Sequence, residues 1–267
     1  MKYGLEFLDL PRRGRKPRDK GITIVRDWGF GVGEATDVAR AIGDYLDYVK
    51  LRQWAVWYTA ADITREKNAI YRRHDIVPFP GGIVFEVAYH RGMLPQTLDG
   101  LRDLGFQAIE ISDNIIDIAL ADKRQAVEGA IAAGLEVLFE YGKKYPTAAF
   151  DVDGAADEIN AMLDAGASRV ILERSQLDVT LGARCDGKEA GRLVRLVEKT
   201  GLDPLIFEAE TTAHQMWLLE TFGPDVNLGP NILPEQVGLK IEPARYGIGR
   251  DEGYTLFQQL EPATDRG

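Results

Sequence analysis

At 267 residues, with 45% hydrophobic and 28% charged residues, the chain has the composition of an ordinary soluble globular protein and the length of one βα barrel, which excludes disorder. A formal net charge of −10 argues against nucleic acid or an anionic membrane surface as partner and leaves a small molecule. Cys185 is the single cysteine, so an internal disulfide and a cysteine-based zinc site are both excluded, as suits a cytoplasmic protein.

Met1 to Leu10 has no continuous apolar run of the kind a signal peptide or membrane span requires. Pro11 to Lys20 (PRRGRKPRDK) concentrates six basic residues and reads as a short solvated lead-in to the first strand; a localisation or nucleic-acid tag is the other meaning of such a run. β-branched and aromatic runs then predict strands near 22–27, 48–53, 76–80, 107–112, 136–141, 169–174, 204–209 and 226–229. Helical patterns fill the gaps: Ala121 to Ala133 stops at Gly134, Asp153 to Asp164 stops near Gly166, and Gly201 marks a further turn. In the first of these, Lys123 and Arg124 read as a solvated face. Eight regular βα units without a dinucleotide-binding half predict an α/β fold, a single (βα)8 TIM-type barrel over residues 1–267 with a polar tail from Gly249.

Barrel enzymes carry their reactive groups at the C-terminal ends of strands. Those positions hold Asp27, Lys50, Arg52, Glu110, Ser112, Asp113, Glu140, Glu173, Glu208, Glu210 and Asn227. Side chains alternate along a strand, so Glu110 and Ser112 share the inward face while Ile109 and Ile111 face the helices. The same parity turns Glu140, Glu208 and Glu210 inward and Val137, Phe139 and Phe207 outward. Several carboxylates in one restricted site repel unless cations compensate. An oxygen-rich, thiol-free set favours Mg2+ over zinc, while Lys50, Lys143, Lys144 and Arg174 suit an anionic substrate such as a phosphorylated acid. Buried lysine–glutamate pairs that merely satisfy one another are the structural alternative. His74, His90 and His214 have no metal-ligand spacing, and Trp54, Trp57 and Tyr58 suit either a ligand wall or packing.

The blocks KPRDKGITIVRDWG, DYVKL, PFPGGIVFEVAY, LGFQAIEISDN, EYGKK, IFEAE and FGPDVNLGPNI occur in order over nearly the whole chain, which resembles the phosphosulfolactate synthase family. The resemblance implies a magnesium-assisted addition of sulfite to phosphoenolpyruvate, often by a homo-oligomer. It also implies Lys143 as the acid that protonates the enolate, with Lys144 as second candidate. Glu110, Asp113, Glu140, Glu173 and Glu208 would serve the metal or orient lysine, and Lys50 would bind substrate. Arg52, Ser112 and Arg174 join the substrate-binding candidates, and Asn227, Gly229 and Asn231 would approach phosphate.

Two stretches depart from the family pattern. The family's KFGWGT is KLRQWAV here, and its Arg-Glu-Ser-Gly loop after the sixth strand is RSQLDVTLG. The resemblance therefore implies a phosphoenolpyruvate enzyme whose nucleophile is sulfite or another. The remaining readings are a non-catalytic stress-related or interaction barrel, and an isomerase or aldolase acting on a phosphorylated acid.

Overall fold

The protein is seen in a computed structural model that describes residues 4–8, 13–146, 149–185 and 187–249. Its strands are β1 (Thr23–Asp27), β2 (Tyr48–Leu51), β3 (Val77–Pro80), β4 (Ala108–Ser112), β5 (Glu136–Tyr141), β6 (Arg169–Leu172), β7 (Leu205–Phe207) and β8 (Asn227–Ile232). Each of the eight expected strands is present, and β8 runs on past residue 229. The first helices are α1 (Val32–Ile42), α2 (Gln53–Trp57), α3 (Ala61–Arg73), α4 (Ile83–His90) and α5 (Leu94–Asp103). Then come α6 (Leu120–Ala132), α7 (Val152–Asp164), α8 (Arg174–Leu181), α9 (Ala190–Thr200) and α10 (Thr212–Phe222). The polar tail expected beyond Gly249 lies outside the described residues.

All strand pairs are parallel, in the order β3-β2-β1-β8-β7-β6-β5-β4, so the sheet curls into a nearly closed (βα)8 TIM barrel. The open joint between β3 and β4 has a cause in the sequence. Val77 N and Gly81 N bond to Asp47 O and Leu51 O on the β2 side, which turns Pro78 and Pro80 toward β4. Proline has no N–H, so that edge lacks two donors, and Gln107 N to Pro78 O at 3.1 Å is the backbone bond that crosses it.

Period-two alternation sorts the strand residues. Ile24, Tyr48, Phe79, Ala108, Leu138, Ile171 and Ile206 fill the barrel, and Val25, Val49, Ile109, Ile111, Val137, Phe139, Val170 and Phe207 pack under the helices. Toward the C-terminal ends the inward layer turns ionic, where Lys50, Glu110, Glu140 and Glu208 follow those apolar residues.

The basic lead-in is solvated only in part: Arg15 and Lys20 are exposed, whereas Arg13, Lys16 and Arg18 are held against the barrel. Arg13 Nη1 donates to Thr23 Oγ1, Tyr45 O and Glu242 Oε1 at 3.1, 2.9 and 3.0 Å. Lys16 reaches Leu46 O, His74 O and Asp75 O, and Arg18 pairs with Asp47 at 2.8 Å. These cations close the N-terminal end of the barrel by satisfying carbonyls and a carboxylate that precede β2 and β3, with Glu242 beyond β8. Lys123 also departs from expectation: it is buried between Asp113 and Glu158, while Arg124 is exposed as the periodicity predicts.

Asp27 shares the parity of Val25 and points away from the barrel axis into a buried cluster. Its carboxylate accepts from Gly29 N, Phe30 N and Tyr71 Oη, each at 2.8 Å, and pairs with Lys67 at 2.7 Å. Lys67→Met leaves that carboxylate buried without a cation and is expected to lower the unfolding free energy by about 3–5 kcal/mol in denaturant titrations; a loss below about 1 kcal/mol would show that Lys67 does not neutralise it. Burial, then the neighbouring Asp27, raises the Tyr71 phenol well above its ordinary value. Its stabilisation is complete below about pH 10 and declines as pH climbs toward the folded-state value. The stability of the native chain should therefore fall faster than that of Tyr71→Phe above that pH, by roughly 1.4 kcal/mol per pH unit.

Candidate active site

The strand ends open on a cavity of about 260 Å3 whose lining includes Lys50, Arg52, Gln53, Gly81, Gly82, Glu110, Asn114, Glu140, Lys144, Tyr145, Glu208 and Asn231. Lys50 from β2 pairs with Glu110 of β4 at 2.7 Å, and Glu110 Oε1 accepts from Gly82 N at 2.6 Å. A Cβ on Gly82 would meet Ser112 Oγ at 2.3 Å and Glu110 Oε1 at 2.8 Å, so only glycine allows this approach. Burial lowers the Lys50 amine, but the charges of Glu110 and Glu140 outweigh it and hold the amine above its ordinary value. Burial, then the charge of Glu140, pushes the Glu110 carboxyl upward against the pull of Lys50.

The carboxylates of Glu140, Glu173 and Glu208, from the ends of β5, β6 and β7, bring oxygens within 4.8 Å of one another, and all three residues are buried. Burial, a hydrogen bond to Glu173 and the charge of Glu140 raise Glu208 well above the usual carboxyl range, so it retains a proton. Glu173 goes the other way: burial would raise it, but the bond from Glu208 and the Lys144 amine at 3.0 Å bring it down. Glu173 Oε2 is buried and accepts from no N–H or hydroxyl among the described residues. The Glu208 proton or a cation between the carboxylates would satisfy it. This all-oxygen set with an orphaned acceptor fits a hard divalent cation.

Gly142, at φ +121°, separates the fates of the two lysines that follow it. Lys144 turns into the cavity, whereas Lys143 turns aside to Asp113 Oδ2, Asp117 Oδ1 and Ile116 O at 3.1, 3.0 and 3.0 Å. Burial works against the charge of Lys144, but the charge of Glu173 and its hydrogen bond overcome it and hold the amine above its ordinary value. Asp113, expected beside the metal carboxylates, bridges Lys143 and Lys123 instead, at 3.1 Å to each.

Asn227 and Asn231 do not stand at one height on β8, whose register against β1 shifts between Leu228 and Ile232. Asn231 reaches the cavity and donates to Glu208, while Asn227 braces the far end through Ile22 N, Asp203 O and Leu205 O. Asn227 therefore cannot approach a ligand at the mouth. Gly229 has its missing side chain filled by Ile24, 2.4 Å from where a Cβ would lie, so its smallness serves packing against β1. Ser112 donates to Glu86 at 2.6 Å, and Arg174 bonds Glu210 at 2.9 Å outside the cavity lining.

Glu86 is the position that strand-end reasoning passed over. Buried on α4, it accepts from Ser112 Oγ, Asn114 N, Ile115 N and Ile116 N at 2.6, 3.0, 3.0 and 3.2 Å, fixing the loop after β4. That loop delivers Asn114, whose Nδ2 donates to Glu140 at 2.8 Å. A lone acid in the apolar stretch IVFEVAYH was the available signal.

Residues 11–251 match the model of the family described as (2R)-phospho-3-sulfolactate synthase (ComA). The chain belongs to this family. It is 34% identical over 253 residues to the phosphosulfolactate synthase of Methanothermobacter thermautotrophicus, covering 92% of this chain and 96% of that one. The phosphosulfolactate synthase of Methanocaldococcus jannaschii is 35% identical over 240 residues, at 87% and 93% coverage. That of Bacillus subtilis is 27% identical over 248 residues, at 91% and 96% coverage. The YdjI aldolase of Escherichia coli shares the fold at a TM-score of 0.54 and 12% identity, over 86% of this chain and 80% of that one. The protein is thus a phosphosulfolactate synthase-like enzyme, and the stretches that follow β2 and β6 take helical form. Gln53–Trp57 of KLRQWAV is α2, and Arg174–Leu181 of RSQLDVTLG is α8. Glu173→Gln should weaken divalent-cation binding at least about tenfold in a Mn2+ titration followed by electron paramagnetic resonance; unchanged affinity would remove the three glutamates as the metal site.

Proposed function

We propose that this enzyme adds an oxyanionic nucleophile, sulfite in the reaction for which the family is named, to the methylene carbon of phosphoenolpyruvate. The observation that carries the reading is Lys144, protonated on Glu173 and aimed into the same small cavity as Lys50 and the buried glutamates. In the proposed step the sulfur lone pair forms the C–S bond, and the double-bond electrons move toward the substrate carboxylate. Lys144 then delivers a proton to the neighbouring carbon, and the phosphate ester stays intact. Lys50 and Asn231 hold the anionic groups of the substrate, and Glu110 keeps the Lys50 amine charged and in place.

Glu140, Glu173 and Glu208 would hold Mg2+, which supplies positive charge to the substrate carboxylate as it takes up electrons. Lys143 serves best as the clamp of the loop after β4, so the geometry favours its neighbour as the acid. A Schiff-base aldolase needs a neutral amine, and the charged state of Lys50 speaks against it. The reading extends to one domain over residues 1–267, a homo-oligomer, a cytoplasmic location and no nucleic-acid or membrane partner. The net charge of −10 supports the absence of nucleic-acid and membrane partners, and exposed Trp28, Trp54, Trp57 and Tyr58 near the mouth support self-association. Among the described residues no helix is long and apolar enough to cross a membrane.

Phosphorus NMR of the protein with phosphoenolpyruvate, Mg2+ and sulfite should give a new phosphate ester; persistence of phosphoenolpyruvate alone would reject sulfite as nucleophile. Lys144→Ala should cut kcat by about 10²–10⁴ while Lys143→Ala retains more turnover. The opposite ranking would make Lys143 the proton donor.

A further inference from the structure

Arg26 is buried beyond what its partners explain. It points inward from β1 in register with Lys50, and its side chain is only 14% exposed. Yet its guanidinium makes no hydrogen bond among the described residues, and Nε is buried with no partner. The ion pair with Glu210 is long, 3.9 Å, because Glu210 is held by Arg174 at 2.9 Å. Trp28 covers one face of the guanidinium at 4.0 Å, which leaves its N–H edge as the polar surface.

Arg52 stands beside it. It lines the cavity, its guanidinium likewise forms no hydrogen bond or ion pair among the described residues, and its charge adds to burial in lowering the pKa of Arg26. Within the cavity the other two cations are committed, Lys50 to Glu110 and Lys144 to Glu173. Two guanidinium groups at adjacent strand ends, neither hydrogen-bonded among the described residues, are a costly arrangement unless an anion joins them, and guanidinium N–H groups match a small anion with at least two oxygens.

The support for this pair is rigid. Asp27 pins Gly29 N and Phe30 N in the loop after β1, and Gly29, at φ +121°, is covered by the Trp54 ring, which lies 2.0 Å from where a Cβ would stand. The loops after β1 and β2 therefore interlock through Gly29 and Trp54, next to the strand ends that carry Arg26 and Arg52. The glutamates that suit the metal come from β5, β6 and β7, on other strands of the barrel.

We propose that Arg26 and Arg52 form the subsite for the second, oxyanionic reactant, distinct from the lysines and glutamates that hold the first. The proposal rests on the reading of phosphoenolpyruvate as first reactant. It gives Arg52 a role as an anion contact supplied from the end of β2.

Sulfite is the probe, titrated by calorimetry into the Mg2+-loaded protein without phosphoenolpyruvate, so that no turnover intervenes. Phosphoenolpyruvate is titrated separately. Arg52→Ala should weaken sulfite binding tenfold or more, Arg52→Lys should restore part of it, and Arg26→Met should weaken it as well. Phosphoenolpyruvate affinity should stay within twofold in Arg52→Ala. Equal sulfite affinity in the native protein and Arg52→Ala, no sulfite binding by the native protein, or a matching loss of phosphoenolpyruvate affinity would each overturn the assignment. Failure of the native protein to bind phosphoenolpyruvate would instead reject the reading on which the proposal rests.

Discussion

Glu110, Glu140, Glu173 and Glu208 crowd the C-terminal end of the barrel, and each is almost wholly removed from solvent. Four negative charges at such separations in a poorly polarisable interior cannot coexist uncompensated. The molecule answers with one lysine on each flank, Lys50 and Lys144, and with a proton retained on Glu208. Gly82 must lack a side chain so that its N–H reaches Glu110, and Asn231 and Asn114 must present amide groups to Glu208 and Glu140. The specific sequence blocks that mark the family surround this charge problem, so they describe one electrostatic arrangement more than several independent features.

The parts of the site that could be read from the sequence are those governed by strand alternation. The parity that turns Ile109 and Ile111 outward turns Glu110 and Ser112 inward, and the same holds for Phe139 and Glu140 and for Phe207 and Glu208. Alternation says nothing of height along a strand, which is why Asn227 and Asn231 look equivalent in sequence and lie at opposite ends of the barrel. It also ends where the strand ends. Beyond β5 the backbone turns at Gly142, and which of two adjacent lysines enters the cavity is decided by a dihedral angle that composition does not reveal.

Burial of charge was the other source of surprise. Lys123, Lys67 and Glu86 occupy helices whose polar spacing suggests a solvated face or gives no sign of a special role, yet each meets partners contributed by distant segments. The basic run before β1 behaves similarly: Arg13, Lys16 and Arg18 find backbone carbonyls and Asp47 that only the assembled barrel brings together. Long-range pairing of this kind is a property of the fold, and local periodicity cannot encode it.

The two prolines of β3 have a reach beyond their own strand. They leave β3 and β4 joined by a sparse set of backbone bonds, so the seam between these strands relies on side chains for its closure. Above the gap, Gly82 from the β3 side is tied to Glu110 on β4, and Glu110 is tied in turn to Lys50 on β2. The charged cluster thus acts as a rivet across the weakest staves of the barrel. Whatever alters its charge also alters how tightly the wall is closed, coupling occupancy of the mouth to the rigidity of the cylinder beneath it.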